Sequence, residues 1–356
     1  MVERPQAHGR ALPKVSLLVA MRNEAEHIEG CLQSILEQDY PAELLETLVF
    51  DGRSTDASLE IAHRMVANRA GWSVEDNPEI IQAAAWNLGI TRATGDVVGI
   101  VSAHTELATD YVSQAVATLQ RTGADLVGGP VRAYGSTYIG QAISIATSSP
   151  FGVGDARGHY TEREEEVDTV FQGVCRKEMY ARIGGFDPEM VRNQDDELSY
   201  RLRRSGGRIV CNPAIRTRYH NRATLRSLAR QYAHYGFWKV RVMQKLPRQM
   251  QPRQFVPAAF VAALCGSVAA AAVTPWGLVA LAVVAGSYAT ANIAASALAA
   301  RTEGGRFFPV LPIVFVTLHV SYGAGFLVGL PRWYLRHQPR GRPEARTTTE
   351  QPSERA

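Results

Sequence analysis

Short apolar runs alternate with amphipathic segments over the first hundred residues. Residues 15–20, 45–50 and 97–101 are apolar runs of the length of buried parallel strands. Between them, residues 24–37 and a segment after Asp56 repeat apolar side chains at helical spacing. This β-α-β-α-β order predicts a doubly wound α/β sheet with right-handed crossovers.

The next hundred residues have a less regular pattern. Residues 130–168 are rich in Gly, Ser and acids, and we expect a long functional loop there. Residues 172–183 are expected to be helical, and residues 209–211 to form a short strand. A further helix is predicted to begin at the acidic run 194–197 and to end at Gly206.

The C-terminal part of the chain is strongly apolar. Residues 224–245 form a basic amphipathic segment, which either packs on the domain as a solvated helix or lies on an anionic membrane surface. Residues 255–273, 276–300 and 308–330 are each long enough to cross a bilayer core. Only Thr274-Pro275 separates the first two, which predicts a tight hairpin.

The third apolar stretch raises a conflict. As a simple span it would place the basic C-terminal tail on the outer side, against the positive-inside tendency. Pro309, Pro312 and His319, with several glycines, could break this stretch into a re-entrant or interfacial element. We therefore expect the hairpin to span the membrane and leave the third stretch open.

Composition narrows the compartment and the partners. The formal charge of +4 over 356 residues does not indicate nucleic-acid binding. The four cysteines are scattered without paired spacing, which indicates neither a disulfide framework nor a zinc site and fits a reducing cytoplasm. The N-terminus through Pro13 has no apolar core typical of a signal peptide, so we expect anchoring by the C-terminal half.

Polar residues follow the predicted strands, where ligands bind in doubly wound sheets. They are Arg22-Asn23-Glu24, Asp51-Gly52-Arg53-Ser54 and Ser102-Ala103-His104. A cluster of like charges, Asp195-Asp196-Glu197, stands at the start of a predicted helix. Such a cluster is either solvated surface or part of a site that uses a base or holds a cation.

Together these segments resemble family 2 glycosyltransferases, and more narrowly the membrane-anchored exopolysaccharide enzymes of the succinoglycan-biosynthesis type. The resemblance covers residues 15–246 and rests on residues 15–24, 50–56, 87–90, 95–96, 184–187 and 194–198. It implies a GT-A fold and inverting transfer from a nucleotide-diphosphate sugar, usually a UDP-sugar. It also implies a lipid-linked polyprenyl acceptor, membrane lipids as further partners, and a multi-pass protein of the bacterial cell membrane whose catalytic domain is cytoplasmic.

On this basis we divide the chain into five parts. They are a disordered N-terminus (1–13), a GT-A domain (14–223), a juxtamembrane segment (224–252), a transmembrane region of two to three segments (253–331) and a basic disordered tail (332–356).

The resemblance also implies a donor site. Nucleotide-sugar binding would fall to Ala20, Arg22, Asn23, Glu24, Asp51, Ser54, Asn87, Ser102 and Ala103. In the family, the residue matching Asp51 accepts from the donor base, but this residue could also be a helix-capping turn residue. Glu24 either belongs to this site or favours a helix N-terminus.

Ser102-Ala103-His104 occupies the place of the family's Asp-x-Asp motif, which binds a divalent cation on the diphosphate. His104 is a candidate ligand that suits Mn²⁺ better than Mg²⁺. His220 is either a further ligand or a structural hydrogen-bonding residue. Ser102 replaces the first aspartate, so a degraded metal site is the alternative.

Asp195 aligns with the family's catalytic aspartate, which takes the proton of the acceptor hydroxyl. The helix N-terminus lowers the pKa of this carboxyl, and its acidic neighbours raise it. Asp196, Gln172 and Gly173 are expected on the acceptor side. Two other functions remain open: a catalytically silent membrane scaffold, and a nucleotidyltransferase, which the lack of a Gly-rich basic loop after the first strand disfavours.

Overall fold

The computed structural model of the chain describes residues 11–131 and 133–336. The segments expected to be disordered therefore fall largely outside the described residues. Residues 332–336 are an exception, because they continue the last helix instead of starting the tail.

The strands build a mixed sheet of eight and a small sheet of three. In chain order they are β1 (Val15–Met21), β2 (Leu45–Asp51), β3 (Trp72–Asp76), β4 (Val97–Ser102), β5 (Thr105–Leu107), β6 (Leu126–Gly129), β7 (Ala133–Tyr134), β8 (Glu165–Glu166), β9 (Phe171–Arg176), β10 (Ile209–Cys211) and β11 (Thr217–His220). The large sheet has the order β3-β2-β1-β4-β9-β6-β10-β8, and the small one β5-β11-β7. Strands β3, β2, β1 and β4 are parallel, whereas β9 is antiparallel to both neighbours. The predicted doubly wound mixed sheet is confirmed.

Helices cover both faces of the large sheet and make up most of the C-terminal part of the chain. They are α1 (Ile28–Leu36), α2 (Ser58–Val66), α3 (Gln82–Arg92), α4 (Tyr111–Thr122), α5 (Tyr138–Thr147), α6 (Pro150–Val153), α7 (Glu178–Ile183), α8 (Gln194–Arg204), α9 (Leu225–Lys245), α10 (Val256–Ala271), α11 (Pro275–Glu303) and α12 (Leu311–Arg336). Every residue of β1 is buried, and its side chains alternate between two cores. Leu17 and Val19 face one core, and Leu18 faces the other. Burial on both faces explains why the strand is continuously apolar.

Two predictions between residues 130 and 183 were wrong. The first half of the segment expected to be helical is strand β9, and only α7 is helical. Both faces of β9 are covered, so its sequence lacks the alternation that marks a half-buried strand. The expected long loop contains helix α5, whose buried residues Ala142, Ile143 and Ala146 pack in one cluster with α12.

Three C-terminal helices are long and apolar enough to cross a membrane. Helices α10 and α11 form an antiparallel hairpin, as predicted. Phe260 stacks on Tyr288 with ring centroids 4.2 Å apart, and a Cβ on Gly277 would lie 2.1 Å from the backbone nitrogen of Ala271.

Helix α12 is continuous, so the break that its prolines and glycines left open does not occur. Its C-terminal half runs parallel to α9 at a backbone separation that only glycine allows. A Cβ on Gly236 would lie 2.0 Å from the carbonyl oxygen of Tyr322, and one on Gly325 would lie 2.0 Å from that of Ala233. The basic segment containing α9 thus packs against the third apolar helix.

We predict that Gly236→Ala destabilises the protein in detergent, because the added methyl group must push α9 away from α12. Overpacking of this kind costs about 1–3 kcal/mol. Thermal unfolding, monitored as the loss of the monodisperse peak in chromatography, should have a lower midpoint in Gly236→Ala than in the wild type. Gly266→Ala is the matched control, since a Cβ on this glycine of α10 meets no atom within 4 Å. Equal midpoints for both variants would contradict the prediction.

Candidate functional site

The carboxyl ends of three parallel strands bring the first group of predicted residues together. Met21 pairs with Asp51, and Ala20 pairs with Ser102, so these four residues form one edge of the sheet. Asp51 and Ser102 are both buried. The sequence prediction that polar residues meet at this edge is therefore correct in geometry.

The loops after β1 and β2 are tied to each other by side chains. The Asp51 carboxylate accepts hydrogen bonds from the Ser54 amide (3.1 Å) and the Ser54 hydroxyl (2.6 Å). The backbone amide of Asn23 donates to the Ser54 hydroxyl, and the side-chain oxygen of Asn23 accepts from the backbone amide of Thr55. Asn23 adopts a left-handed conformation with φ 55°, which asparagine tolerates better than most residues. Asp51 thus holds its own turn while it lies at the strand edge, and Arg22 beside it is exposed.

His104 lies just beyond β4 with one ring nitrogen engaged. Its Nδ1 is 3.1 Å from Glu24 Oε1, and its ring lies edge-on to Tyr219 at 5.1 Å. A carboxylate on Nδ1 favours the tautomer whose Nε2 lone pair is free to bind a metal. His220, the other predicted ligand, has its Nε2 3.0 Å from Glu106 Oε1 and stacks on His27.

These donors fit a cation only in part. Among the described residues, no three His, Cys, Asp or Glu side chains converge as a metal site. The Ser102 hydroxyl accepts a hydrogen bond from the Gln82 amide at 3.3 Å. One imidazole nitrogen fits a cation that arrives on a diphosphate, because the phosphate oxygens would supply the remaining ligands.

A cavity of about 1150 Å³ extends from this edge to the apolar helices. Ser102 and His104 line one end of it, and Asp195 and Asp196 line its wall. Its far part is lined by Val256, Pro257, Phe260, Val283, Val284, Tyr288, Ala291, Leu318 and Tyr322. The acidic cluster and the strand edge therefore share one space with the membrane-type helices.

Asp195 occupies the first turn of α8. Asn193 precedes the helix in a left-handed conformation (φ 57°), and its side chain donates to the Tyr235 carbonyl. The Asp196 amide donates to Asp195 Oδ1 at 2.9 Å. Burial, with the charge of Asp196 as a second cause, raises the pKa of Asp195 to about 6. Both predicted influences are present, and the pKa rises. A carboxyl with this pKa is mostly ionised at neutral pH and is a stronger base than an ordinary aspartate.

Asp196 is neutralised by a lysine from α9. Lys239 Nζ forms an ion pair with Asp196 Oδ2, and only 6% of the surface of Lys239 is exposed. Lys239 and Arg241 belong to the basic amphipathic segment 224–245, whose charged residues were expected to face solvent or an anionic membrane surface, but both are buried. Arg241 bonds Glu189 at 2.6 Å and lies over Trp333.

A chain of neutral side chains connects the two ends of the polar site. Gln194 Nε2 donates to Gln82 Oε1 at 2.7 Å, and Gln82 in turn donates to Ser102. Gln194 and Ser102 stand where the family pattern has carboxylates. Amide and hydroxyl groups satisfy one another here without adding charge beside Asp195.

Asn87 and Glu197 both hold the turn before α8. The Asn87 side chain exchanges two hydrogen bonds of 2.7 Å with the backbone of Phe186, and it does not line the cavity. Glu197 bonds Arg201, which donates to the carbonyl of Gly185 at 2.7 Å. The structure thus gives both side chains a part in fixing this turn.

Gln172 and Gly173 lie inside the sheet. The side-chain amide of Gln172 donates to Thr105 Oγ1 at 2.6 Å. The backbone carbonyl oxygen of Gln172 accepts from the Tyr111 hydroxyl. A Cβ on Gly173 would lie 2.4 Å from Leu126 Cδ1. Ala103 is also buried in a core cluster, so these three residues do not line the cavity.

Sequence reasoning missed several residues of the site, including Gln82, His159 and Lys239. His159 lines the cavity, and burial lowers its pKa to about 4, so it is neutral at pH 7. None of these residues belongs to a motif. The only local signal for Lys239 was its position next to Trp238, on the side of the helix that is otherwise buried.

Comparison with known proteins identifies the family. Residues 16–182 match the model of glycosyl transferase family 2. The succinoglycan biosynthesis protein ExoA of Rhizobium meliloti is 30% identical over 325 residues, which is 87% of this chain and 93% of ExoA. The chain belongs to glycosyl transferase family 2. It is a glycosyltransferase.

Two further similarities support this assignment. A Methanococcus voltae enzyme, the dolichyl N-acetyl-alpha-D-glucosaminyl phosphate 3-beta-D-2,3-diacetamido-2,3-dideoxy-beta-D-glucuronosyltransferase, is 27% identical over 65% of this chain and 74% of its own. The structure of the mannosyltransferase PcManGT from Pyrobaculum calidifontis, in complex with GDP-Man and Mn²⁺, matches with a TM-score of 0.57. It is 20% identical and covers 90% of this chain and 88% of that one, which shows a shared GT-A fold.

We predict an acidic limb in the pH–rate profile near pH 6, because Asp195 must be ionised to act as a base. The charge of Lys239 lowers the pKa of Asp195 against the larger effects of burial and Asp196. Lys239→Met should therefore move the limb to higher pH, by about one pH unit. Steady-state kcat between pH 5 and 9 would measure the shift.

Lys245→Met is the matched control for that profile. Lys245 is also on α9, but it pairs with Asp187 and Glu189 instead of the acidic cluster. An unchanged limb in Lys239→Met, or equal shifts in both variants, would contradict the proposed coupling.

Proposed function

We propose that this glycosyltransferase moves a sugar, with inversion, from a nucleotide-diphosphate donor to a hydroxyl of a lipid-linked acceptor. The donor we propose is a UDP-sugar, the carrier is a polyprenyl lipid, and the process is the synthesis of a cell-surface or extracellular polysaccharide. The observation that carries the proposal is the cavity, which extends from Asp195 to the apolar hairpin.

The shape of this cavity favours an amphipathic acceptor. Near Asp195 its lining is polar, whereas Phe260, Val283 and Tyr288 line the part between α10 and α11. A soluble sugar acceptor would leave this apolar part without a function. A lipid carrier would fill it and place the attached sugar at Asp195.

Asp195 is the proposed general base. Its carboxylate takes the proton of the acceptor hydroxyl as the hydroxyl oxygen attacks the anomeric carbon of the donor sugar. The bond from that carbon to the diphosphate oxygen breaks on the opposite face, which inverts the configuration. The family relationship and the pKa of about 6 support this role for Asp195.

The donor is proposed to bind at the strand edge. Asp51, Ser54 and the residues after β1 would hold the nucleoside, and Ser102 and His104 lie where the diphosphate would be. A divalent cation, Mn²⁺ or Mg²⁺, would neutralise charge on the leaving diphosphate, with His104 as its protein ligand. The complex of PcManGT with GDP-Man and Mn²⁺ supports this chemistry by analogy.

We further infer a multi-pass protein of the bacterial cell membrane with its sugar-transferring domain in the cytoplasm. The hairpin α10–α11 would span the bilayer, and α12 would lie at its cytoplasmic surface beside α9. The close packing of α12 on the basic helix α9 supports this arrangement.

Ser102 and Gln194 stand in place of carboxylates, and this replacement favours a second candidate function, that of a catalytically silent scaffold. A silent scaffold would retain the fold and membrane helices but would not cleave a donor. An assay that measures release of the nucleoside diphosphate from a nucleotide sugar distinguishes the two functions.

We predict that Asp195→Asn reduces sugar transfer about 10²–10⁴-fold, since an amide cannot accept the proton. Purified protein in detergent with Mn²⁺ would be incubated with each of a panel of nucleotide sugars, and release of the nucleoside diphosphate would be measured. Glu60→Gln is the matched control, because Glu60 is an exposed acid in the first turn of another helix, α2. Equally inactive wild type and Asp195→Asn, with no nucleotide bound, would favour the scaffold.

A second prediction concerns the cation. Ser102→Asp should lower the Mn²⁺ concentration that gives half-maximal activation by about tenfold, because a carboxylate oxygen replaces a weak hydroxyl ligand. Titration of Mn²⁺ in the presence of UDP, by activity and by calorimetry, would measure the change. Ser102→Ala should leave the value close to that of the wild type. A cation requirement that neither variant alters would place the ion away from Ser102.

A further inference from the structure

The wall of the cavity carries positive charge that the transfer chemistry does not use. Apart from histidines, its charged side chains are Arg192, Arg222, Arg230, Lys239, Arg253, Asp195 and Asp196. Lys239 pairs with Asp196, and Arg253 pairs with two aspartates outside the lining. Within the described ranges, 11–131 and 133–336, the other three arginines form no ion pair or side-chain hydrogen bond. Three cations thus remain against the single carboxylate of Asp195.

These arginines reach the cavity from three separate parts of the chain. Arg222 stands two residues beyond β11, whose Tyr219 lies edge-on to His104. Arg192 also precedes the acidic turn by one residue, beside Asn193. Arg230 reaches the cavity from α9, where the neighbouring Gln231 donates to the Tyr235 hydroxyl at 3.0 Å.

The arginines and the apolar part of the cavity belong to one space. Helix α9 itself joins them, because Arg230 lines the polar part while Leu228 packs with α12 in an apolar cluster. A ligand that matches both parts has an anionic group near Asp195 and a long apolar chain. A nucleotide sugar supplies the anion but no such chain.

We propose that Arg192, Arg222 and Arg230 bind the phosphate of the acceptor lipid and so place its sugar hydroxyl at Asp195. Guanidinium groups suit this task because their planar fork matches phosphate oxygens and stays charged at any working pH. The proposal rests on the function proposed above, since it assumes a lipid-linked acceptor. It adds the residues that recognise the carrier and the chemical group they recognise.

The test measures lipid and donor binding separately. Full-length protein in detergent micelles would be titrated with undecaprenyl phosphate, with undecaprenol of the same length, and with UDP. We expect undecaprenol to bind at least about tenfold more weakly than the phosphate. Arg222→Ala and Arg230→Ala should each weaken binding of the phosphate about tenfold or more, while UDP affinity stays within about twofold.

Arg226→Ala is the matched control. Arg226 is an exposed arginine one turn earlier on α9 that does not line the cavity, so lipid binding should not change. Inorganic phosphate and phosphatidylglycerol are added as competitors at the concentration of the polyprenyl lipid. We expect neither to displace it.

Three results would overturn the proposal. If the arginine variants weaken UDP binding as much as lipid binding, the arginines serve the donor diphosphate. If phosphatidylglycerol competes equally, the site is a general contact for anionic lipids. If the polyprenyl phosphate does not bind although Asp195-dependent donor cleavage persists, the carrier site is refuted and sugar transfer stands. Absence of that cleavage with every donor would instead refute the proposed function, and the carrier site with it.

Discussion

An ion pair connects the acidic turn at Asp195 to helix α9, which packs on the apolar helix α12. Lys239 of α9 is buried, and its charge could not remain so without Asp196 of α8, whose side chain is 22% exposed. Removing one partner of such a pair costs about 3–5 kcal/mol, because the remaining charge is left without compensation. Helix α9 must therefore lie against the first turn of α8. Because glycines fix α9 on α12, the packing of an apolar helix determines the charge balance beside Asp195.

The polar site has fewer carboxylates than its family pattern, and this has a physical consequence. Ser102 and Gln194 are neutral, and Gln82 joins them by hydrogen bonds. A carboxylate at either place would add a like charge near Asp195 and favour its protonated form further. The neutral chain and the Lys239 ion pair leave Asp195 as a base with a pKa of about 6. With neutral residues at these positions, a cation proposed at His104 would depend on the diphosphate for its other ligands.

The sequence predicted what depends on local pattern and missed what depends on pairing over long distances. Strands β1, β2 and β4 are continuous apolar runs, and the residues at their ends meet because the carboxyl ends of parallel strands share one edge. Strand β9 was mistaken for a helix, since a strand covered on both faces has no period of its own. Lys239 was expected to face solvent or an anionic membrane surface because amphipathicity separates polar from apolar residues but cannot show that Asp196 lies opposite. Pro312 and Gly325 do not break α12, because Pro312 stands in the first turn, where proline is tolerated, and Gly325 lies on the packed face.

The packing of α12 also bears on which helices cross the membrane. By length and composition, three helices are equally good candidates to span a membrane. These criteria ignore the neighbouring residues that would enter the membrane with each helix. The middle of helix α12 meets the start of α10, where a Cβ on Gly323 would lie 2.3 Å from the Pro257 carbonyl oxygen, and α12 also packs along α9. If α12 crossed the bilayer core, the arginines of α9 would be drawn in with it, at a cost of about 2.5–3.5 kcal/mol for each one at the centre. The hairpin α10–α11 carries no such burden over most of its length, because its charged residues, Arg301 and Glu303, stand at its end. The proposed arrangement, with a spanning hairpin and α12 at the surface, would keep the arginines at the depth where a lipid phosphate lies.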